Sequence, residues 1–343
     1  MSALKKMQCQ TAVFVIILLT QYYCLQLLLV ALIACAYASF ATALKRDAIS
    51  VDESVKTNKM AEKVAVVTGA NKGLGFAIVK GLCQKYQGIV YLTARDESRG
   101  LEAVKKLNDL GLKSQFHLLD VSDKNSIKQF AEYLTKKHGG FDVLVNNAAV
   151  LDWDQVYPTY DAAKRNIETN YKSLPNIEEL LYPLLRDGAR VVNVSSACGH
   201  LSNLRNKKLL DLLTKQDLKT EDINYFVDQY LENVKKGTFK KEDFADDGKH
   251  AEHRVSKIAL TALTMLQQKK YPNMIINAVN PGYLDTDMAK IKGGVVPDEA
   301  AKTILYLILE ASAKLKGTFM WYNRKLVDWY DVDGDYYYKH GVD

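Results

Sequence analysis

Thr68-Gly69-Ala70-Asn71-Lys72-Gly73-Leu74-Gly75 follows directly on an apolar run, Lys63–Thr68, and leads into a helix-like stretch, Phe76–Tyr86. Glycine lets a backbone turn sharply and approach a phosphate closely, and the helix N-terminus that follows offers free N–H groups and a partial positive charge. The strand–turn–helix context reads as a dinucleotide-binding turn; the alternative is a tight βα connection with no ligand. Gly69, Asn71, Lys72, Gly73, Leu74 and Gly75 are its candidate cofactor contacts. About 20 residues on, an acid would bond the ribose 2′-hydroxyl of NAD, whereas an arginine would suit the 2′-phosphate of NADP. The next apolar run ends Thr93-Ala94-Arg95-Asp96, so Arg95 comes first, and Lys72 adds a second cation. Both favour NADP; Asp96 is the residue that would favour NAD.

Such a turn needs a sheet behind it. Short apolar runs recur at Lys63–Thr68, Ile89–Ala94, Gln115–Asp120, Asp142–Asn146, Arg190–Ser195, Met274–Asn280 and Gly317–Trp321, with helix-like stretches between them. Nearly continuous apolar runs suit strands covered on both faces. Strands separated by helices imply right-handed crossovers and a parallel sheet. The expectation is a doubly wound α/β domain of Rossmann type, with a parallel seven-stranded sheet, over residues 62–343. A helical insertion is expected at about 200–250, where Leu209–Leu213 and Ile223–Val234 have apolar spacings of three and four.

Bulk properties narrow the class. The net charge is +6, of which Lys5 and Lys6 carry two. That mild excess, interleaved with acids, gives no reason to invoke nucleic acid. Cys83 and Cys198 are the cysteines of the body; they suggest neither a disulfide framework nor a zinc site. The stretch Ala12–Leu44 is almost purely apolar behind the basic pair, longer than a usual signal core of about 7–15 residues. It exceeds the roughly 20 residues that span a bilayer. Residues 1–44 therefore read as an uncleaved anchor, with a cleaved signal ending near Ala36-Tyr37-Ala38 as the alternative, and 45–61 as a linker. Lys45, Arg46, Lys56, Lys59 and Lys63 behind the apolar run favour a cytosolic body; secretion after cleavage is the other outcome.

The glycine turn, Asn146-Asn147-Ala148-Ala149 and a serine after a later strand resemble the short-chain dehydrogenase/reductase family, and the body is similar to its carbonyl reductases. Leu92–Asp96, Phe141–Asn147, Arg190–Ser196 and Asn280–Met288 carry the same resemblance, which covers roughly residues 62–325. The resemblance implies that Asp120 and Val121 line the adenine site, that Asn147 lies beside the cofactor, and that Pro281 and Gly282 back the nicotinamide. It implies that Asn170 holds a water in a proton relay and that Ser196 polarises a substrate carbonyl, with Ser195 its buried neighbour. It also implies a Tyr-x-x-x-Lys pair, in which the phenol protonates the carbonyl oxygen and the lysine binds the ribose and lowers the phenol pKa.

The stretch at that place reads Glu252-His253-Arg254-Val255-Ser256-Lys257. Lys257 matches, and the tyrosine position is His253. Tyr133…Lys137 and Tyr160…Lys164 share the spacing but precede Asn170 and Ser196, so both are read as coincidences. Three accounts of His253 stay open: an impaired acid, a pseudoenzyme that keeps its cofactor, and a sequence-level oddity. Lys257 should hold the imidazole mostly neutral, and loss of a positioned acid costs roughly 10²–10⁴ in rate. Glu252 and Arg254 suggest that the whole patch has drifted. His250 and His253 lack a third partner for a metal site.

Two functions from different classes follow. One is NADPH-dependent reduction of small carbonyl substrates (aldehydes, ketones or quinones) by a monomer, with Asn170, Ser196, His253 and Lys257 at the centre. The other is a membrane-tethered NADPH-binding sensor or scaffold without turnover. In the carbonyl reductases an insertion like 200–250 covers the helices that other members use to assemble, which implies the monomer. The acidic, tyrosine-rich tail 328–343 suggests no role.

Overall fold

A computed structural model of the chain describes residues 62–152, 156–285 and 293–332, together with Ile33. The chain divides into Met1–Met60 and Ala61–Asp343. The expected anchor and linker lie outside the described residues, Ile33 excepted. Among the described residues no helix is long and apolar enough to cross a membrane.

The sheet is built from β1 (Val64–Val67), β2 (Ile89–Ala94), β3 (Gln115–Leu118), β4 (Phe141–Asn146), β5 (Leu185–Val194), β6 (Ile275–Asn280), β7 (Phe319–Trp321) and β8 (Leu326–Val327). Its order is β3-β2-β1-β4-β5-β6-β7-β8. The first seven pair in parallel, as the alternation of runs predicts. The eighth, two residues long and antiparallel to β7, enlarges the expected seven-stranded sheet. β3 is an edge strand with partly exposed side chains, so it is not covered on both faces as its apolar run implied.

Helices cover both faces. The first layer holds α1 (Gly73–Lys85), α2 (Glu97–Asp109) and, near the other end of the chain, α9 (Pro297–Leu309), packed on Ala65 and Val67 of β1. The opposite layer holds α3 (Lys124–His138), α4 (Tyr160–Ile167), α5 (Ser173–Leu181), α6 (Lys207–Thr214), α7 (Thr220–Lys236) and α8 (Ala251–Lys270), packed on Val64 and Val66. Adjacent residues of one strand thus feed two separate cores. α6 and α7 form the expected insertion, and α7 rests on α4 and α8. A π-helical turn, Glu168–Lys172, joins α4 to α5.

β1 is followed outward by β2 and β3, and the chain then returns to pair β4 on the other side of β1. Ligands of open α/β sheets sit at such a reversal, beyond the carboxyl ends of the strands. That edge receives Thr68, Asn147, Ser196 and Pro281 from four neighbouring strands.

Candidate active site

The turn after β1 is held by Thr68 and Asn147. Thr68 Oγ1 accepts from the backbone N–H groups of Asn147 and Ala148, both at 3.0 Å. Asn147 Nδ2 donates to the carbonyls of Thr68 at 2.9 Å and Gly69 at 3.0 Å. Gly69 has φ +62°, and a Cβ on it would lie 2.7 Å from Ala148 Cα; one on Gly75 would lie 2.5 Å from Asn147 Nδ2 and 2.6 Å from the Gly69 carbonyl. All three contacts are closer than real Cβ atoms come, so only glycine fits at either position. Helix α1 begins here with no acid in its first turn and no side-chain cap, leaving its N–H groups to an outside acceptor. A pyrophosphate fits that cradle.

Around it, Asn71 is half-buried and Lys72 and Arg95 are exposed. Leu74 is buried in the core, so its backbone alone faces a ligand. Asp96 is spent on α2, whose Arg99 donates to it through the backbone N–H and the guanidinium, both at 2.9 Å. That fixes the carboxylate in a cap and leaves Arg95 beside it. Asp120 accepts from Ser122 at the end of β3, next to buried Val121. Pro281 is buried after β6, and Gly282, at φ +82°, donates to Asn280 Oδ1 at 3.1 Å.

The chemistry-bearing side chains converge from β5, the π-turn and α8. Ser195 is buried, 2.7 Å from Thr261 Oγ1, as its expected role of neighbour requires. Ser196 is half-buried and accepts from the Cys198 N–H at 3.2 Å, so its own hydroxyl hydrogen remains to be donated. Lys257 Nζ donates to the Val194 carbonyl at 2.7 Å, tying α8 to the strand that carries both serines. Burial pulls its ammonium down to about 8. Asn170 lies in the π-turn, an irregularity frequent at functional sites. Its side chain is committed to the loop after Ala149: Oδ1 accepts from the Val150 N–H at 2.8 Å, and Nδ2 donates to the Val150 carbonyl and Asn166 Oδ1, both at 2.9 Å.

His253 is one helical turn before Lys257. The residue keeps some open surface, yet its ring Nδ1 is enclosed and has no hydrogen-bond partner among the described residues. Burial holds the ring well below its ordinary pKa, with Lys257, Arg254 and His250 adding to the shift. The imidazole is therefore neutral at physiological pH. Beside it, burial, helped by the neighbouring Asp152 carboxylate, pushes the Glu252 carboxyl up to about 7. Glu252 lines a small cavity of about 170 Å³ with Asp152, Arg165 and Asn166.

Arg254 is held by partners that folding brings to it. Its guanidinium donates to Asn203 Oδ1, Asp246 Oδ2 and, at 3.2 Å, the Lys249 carbonyl. It thereby gathers the loop before α8, where Asp246, Asp247 and His250 all have positive φ. Such residues persist only where their surroundings impose them.

Trp329, in the tail that suggested no role, is buried and donates through Nε1 to the Gly199 carbonyl at 2.7 Å. His200 Nε2 lies 2.8 Å from the Asp328 carbonyl. Together they clamp the turn after Ser196. The apolar bulk of Trp329 amid acids and tyrosines was the available signal.

Residues 63–207 match the short chain dehydrogenase family. Carbonyl reductase [NADPH] 1 of Sus scrofa is 36% identical over 277 residues, spanning 78% of this chain and 94% of that protein. Carbonyl reductase [NADPH] 3 of Mus musculus is 38% identical over 260 residues, with 72% and 91% covered. Among solved structures, salutaridine reductase from Papaver somniferum superposes with a TM-score of 0.68 at 30% identity, covering 75% of this chain and 99% of that one. Relatives 36% and 38% identical over 78% and 72% of this chain show that it belongs to the short-chain dehydrogenase/reductase family.

Proposed function

We propose that this chain is an NADPH-dependent reductase of small carbonyl compounds, such as aldehydes, ketones or quinones, with His253 in place of the usual phenolic acid. One observation carries the reading: the uncapped, glycine-built cradle of α1 lies on the same sheet edge as Ser196 and Lys257. The relatives named for NADPH support the choice of cofactor, as does Arg95 with Asp96 already engaged.

The bound nicotinamide supplies the hydride. The α1 N-terminus would hold the pyrophosphate, Lys72 and Arg95 the 2′-phosphate, Asp120 and Val121 the adenine, and Asn147, Pro281 and Gly282 the nicotinamide end. Lys257, with one N–H on Val194, has others to offer a ribose. Ser196 donates its hydroxyl hydrogen to the substrate oxygen. His253 meets the same oxygen as a neutral N–H donor; such a group polarises a carbonyl but is a poor proton source. Slow turnover follows.

That neutrality also favours a second reading, a cofactor-binding protein without turnover. Titrating NADPH by fluorescence and then measuring carbonyl turnover in the wild type and His253→Tyr separates the two. Wild-type turnover near that of the variant sinks the second reading, and absence of NADPH binding sinks both.

The apolar segment 12–44 supports attachment of the body to a membrane on its cytosolic side; sequencing the mature N-terminus distinguishes this from signal cleavage and secretion. The cover that α7 lays over α4 and α8 supports a monomer, which sedimentation would test.

A further inference from the structure

Tyr133 and Lys137, set aside on sequence as a chance repeat of the catalytic spacing, form a real pair. Both are on α3, and Lys137 Nζ donates to the Tyr133 phenol oxygen at 2.8 Å, at the surface. On the other side, Tyr133 Oη lies 3.1 Å from Tyr91 Oη of β2. Tyr91 Oη lies 2.8 Å from His138 Nε2. The rings are packed as well as bonded: Tyr91 meets Tyr133 edge-on, with centroids 5.9 Å apart, and His117 of β3 tilts against Tyr133 at 4.5 Å. His138 ends α3, with Gly139 and Gly140 between it and the start of β4 at Phe141, so the cluster lies at the end of the sheet opposite Asn147.

The protons of this chain can be assigned. Burial, together with Lys137 and Arg186, holds His138 neutral despite Glu62. His117 is likewise held neutral by burial. With its proton on Nε2, a neutral His138 would donate to Tyr91, which frees the Tyr91 hydroxyl to donate to Tyr133. The Tyr133 oxygen is then faced by a phenol on one side and by the Lys137 ammonium on the other. Burial drives Tyr91 upward, with Tyr133 and Glu62 adding to the shift. Burial opposes ionisation of Tyr133 too, but the bonds from Lys137 and Tyr91 outweigh it and bring its phenol below the usual value. One phenol of the pair is the donor, and the other is the activated oxygen.

We propose that Tyr133 is a nucleophilic modification site, remote from the cofactor edge, that takes acyl groups from activated acyl donors such as acyl imidazoles and acyl thioesters. The Tyr133 phenol gives up its proton to solvent as its oxygen attacks the donor carbonyl carbon, and a C–O bond forms as the C–N or C–S bond breaks. The leaving nitrogen or sulfur takes a proton from the Lys137 ammonium, which solvent restores. No redox partner is needed. The same lysine that stabilises the attacking oxygen supplies the departing group with its proton.

The test uses the full chain and a limiting amount of N-acetylimidazole near neutral pH. Hydroxylamine-reversible O-acetyl groups are then mapped by peptide mass spectrometry. Tyr133 should be labelled at least about tenfold faster than the exposed Tyr157, Tyr225 and Tyr283, about the least that a charge-assisted hydrogen bond is worth. Lys137→Met should cut the Tyr133 rate about tenfold and leave those three unchanged. Lys137→Arg should retain most of it. A Tyr133 rate no higher than that of the exposed tyrosines overturns the proposal, whatever the variants do. An unchanged rate in a folded Lys137→Met variant overturns it as well.

Discussion

The cradle after β1 and the N-terminal turn of α8 face the same edge of the sheet, but they are built to different standards. In the cradle, Thr68 Oγ1 and Asn147 Nδ2 are held by backbone partners, and no atom can be added at Gly75. At α8, His253 Nδ1 and Glu252 Oε2 are enclosed without partners among the described residues, and three preceding non-glycine residues have left-handed backbones. Unpartnered buried polar atoms cost stability, so the second region holds tension that the first does not. The cradle is fixed by geometry that tolerates no added atom, whereas the patch at α8 holds a group that titrates near neutral pH.

The largest expected effect tests that contrast directly. His253→Tyr should raise kcat/KM for a carbonyl substrate roughly 10²–10⁴-fold with the NADPH dissociation constant unchanged. A variant that changes binding instead would merge the two regions.

Glu252→Gln comes next. Folding raises the Glu252 carboxyl from 4.5 to about 7, so the folded state binds its proton more tightly than the unfolded chain. The stability this contributes is present below pH 4.5 and is lost as pH rises through about 7. A glutamine cannot ionise, so the variant should gain on the wild type across that window and lead by about 3 kcal/mol above it. Melting temperatures measured from pH 4 to pH 8 check this, and a constant offset would contradict it.

In the cradle, Gly75→Ala should weaken NADPH binding by about 1–3 kcal/mol through overpacking, read by fluorescence titration. It should leave the pH dependence of stability untouched. The smallest effect belongs to Arg95→Ala, which should narrow the preference for NADPH over NADH about tenfold. An unchanged preference would move the 2′-phosphate contact to Lys72 alone.

How far the sequence reveals these regions follows from the range of the forces in each. The cradle is local: its glycines, the strand before them and the helix after them are contiguous, so spacing alone exposes it. The parallel sheet is legible for the same reason, since every crossover repeats one apolar rhythm. β8 escapes because two residues have no period. Arg254 looks like drift because its partners, Asn203 and Asp246, are brought to it by folding and not by sequence. Asn170 was recognisable from its motif, but not its grip on Val150, 20 positions earlier. The neutrality of His253 was foreseeable from Lys257; burial, its larger cause, was not.

Trp329 reaches back 130 positions to fasten the Gly199 carbonyl. A chain made from its N-terminus acquires every strand of the parallel sheet before it acquires this clasp. A fragment ending just before residue 329 would keep a cradle able to hold its ligand while the serine turn hung loose. The last described stretch of the polypeptide therefore closes the turn that follows Ser196 from the far end of the sequence.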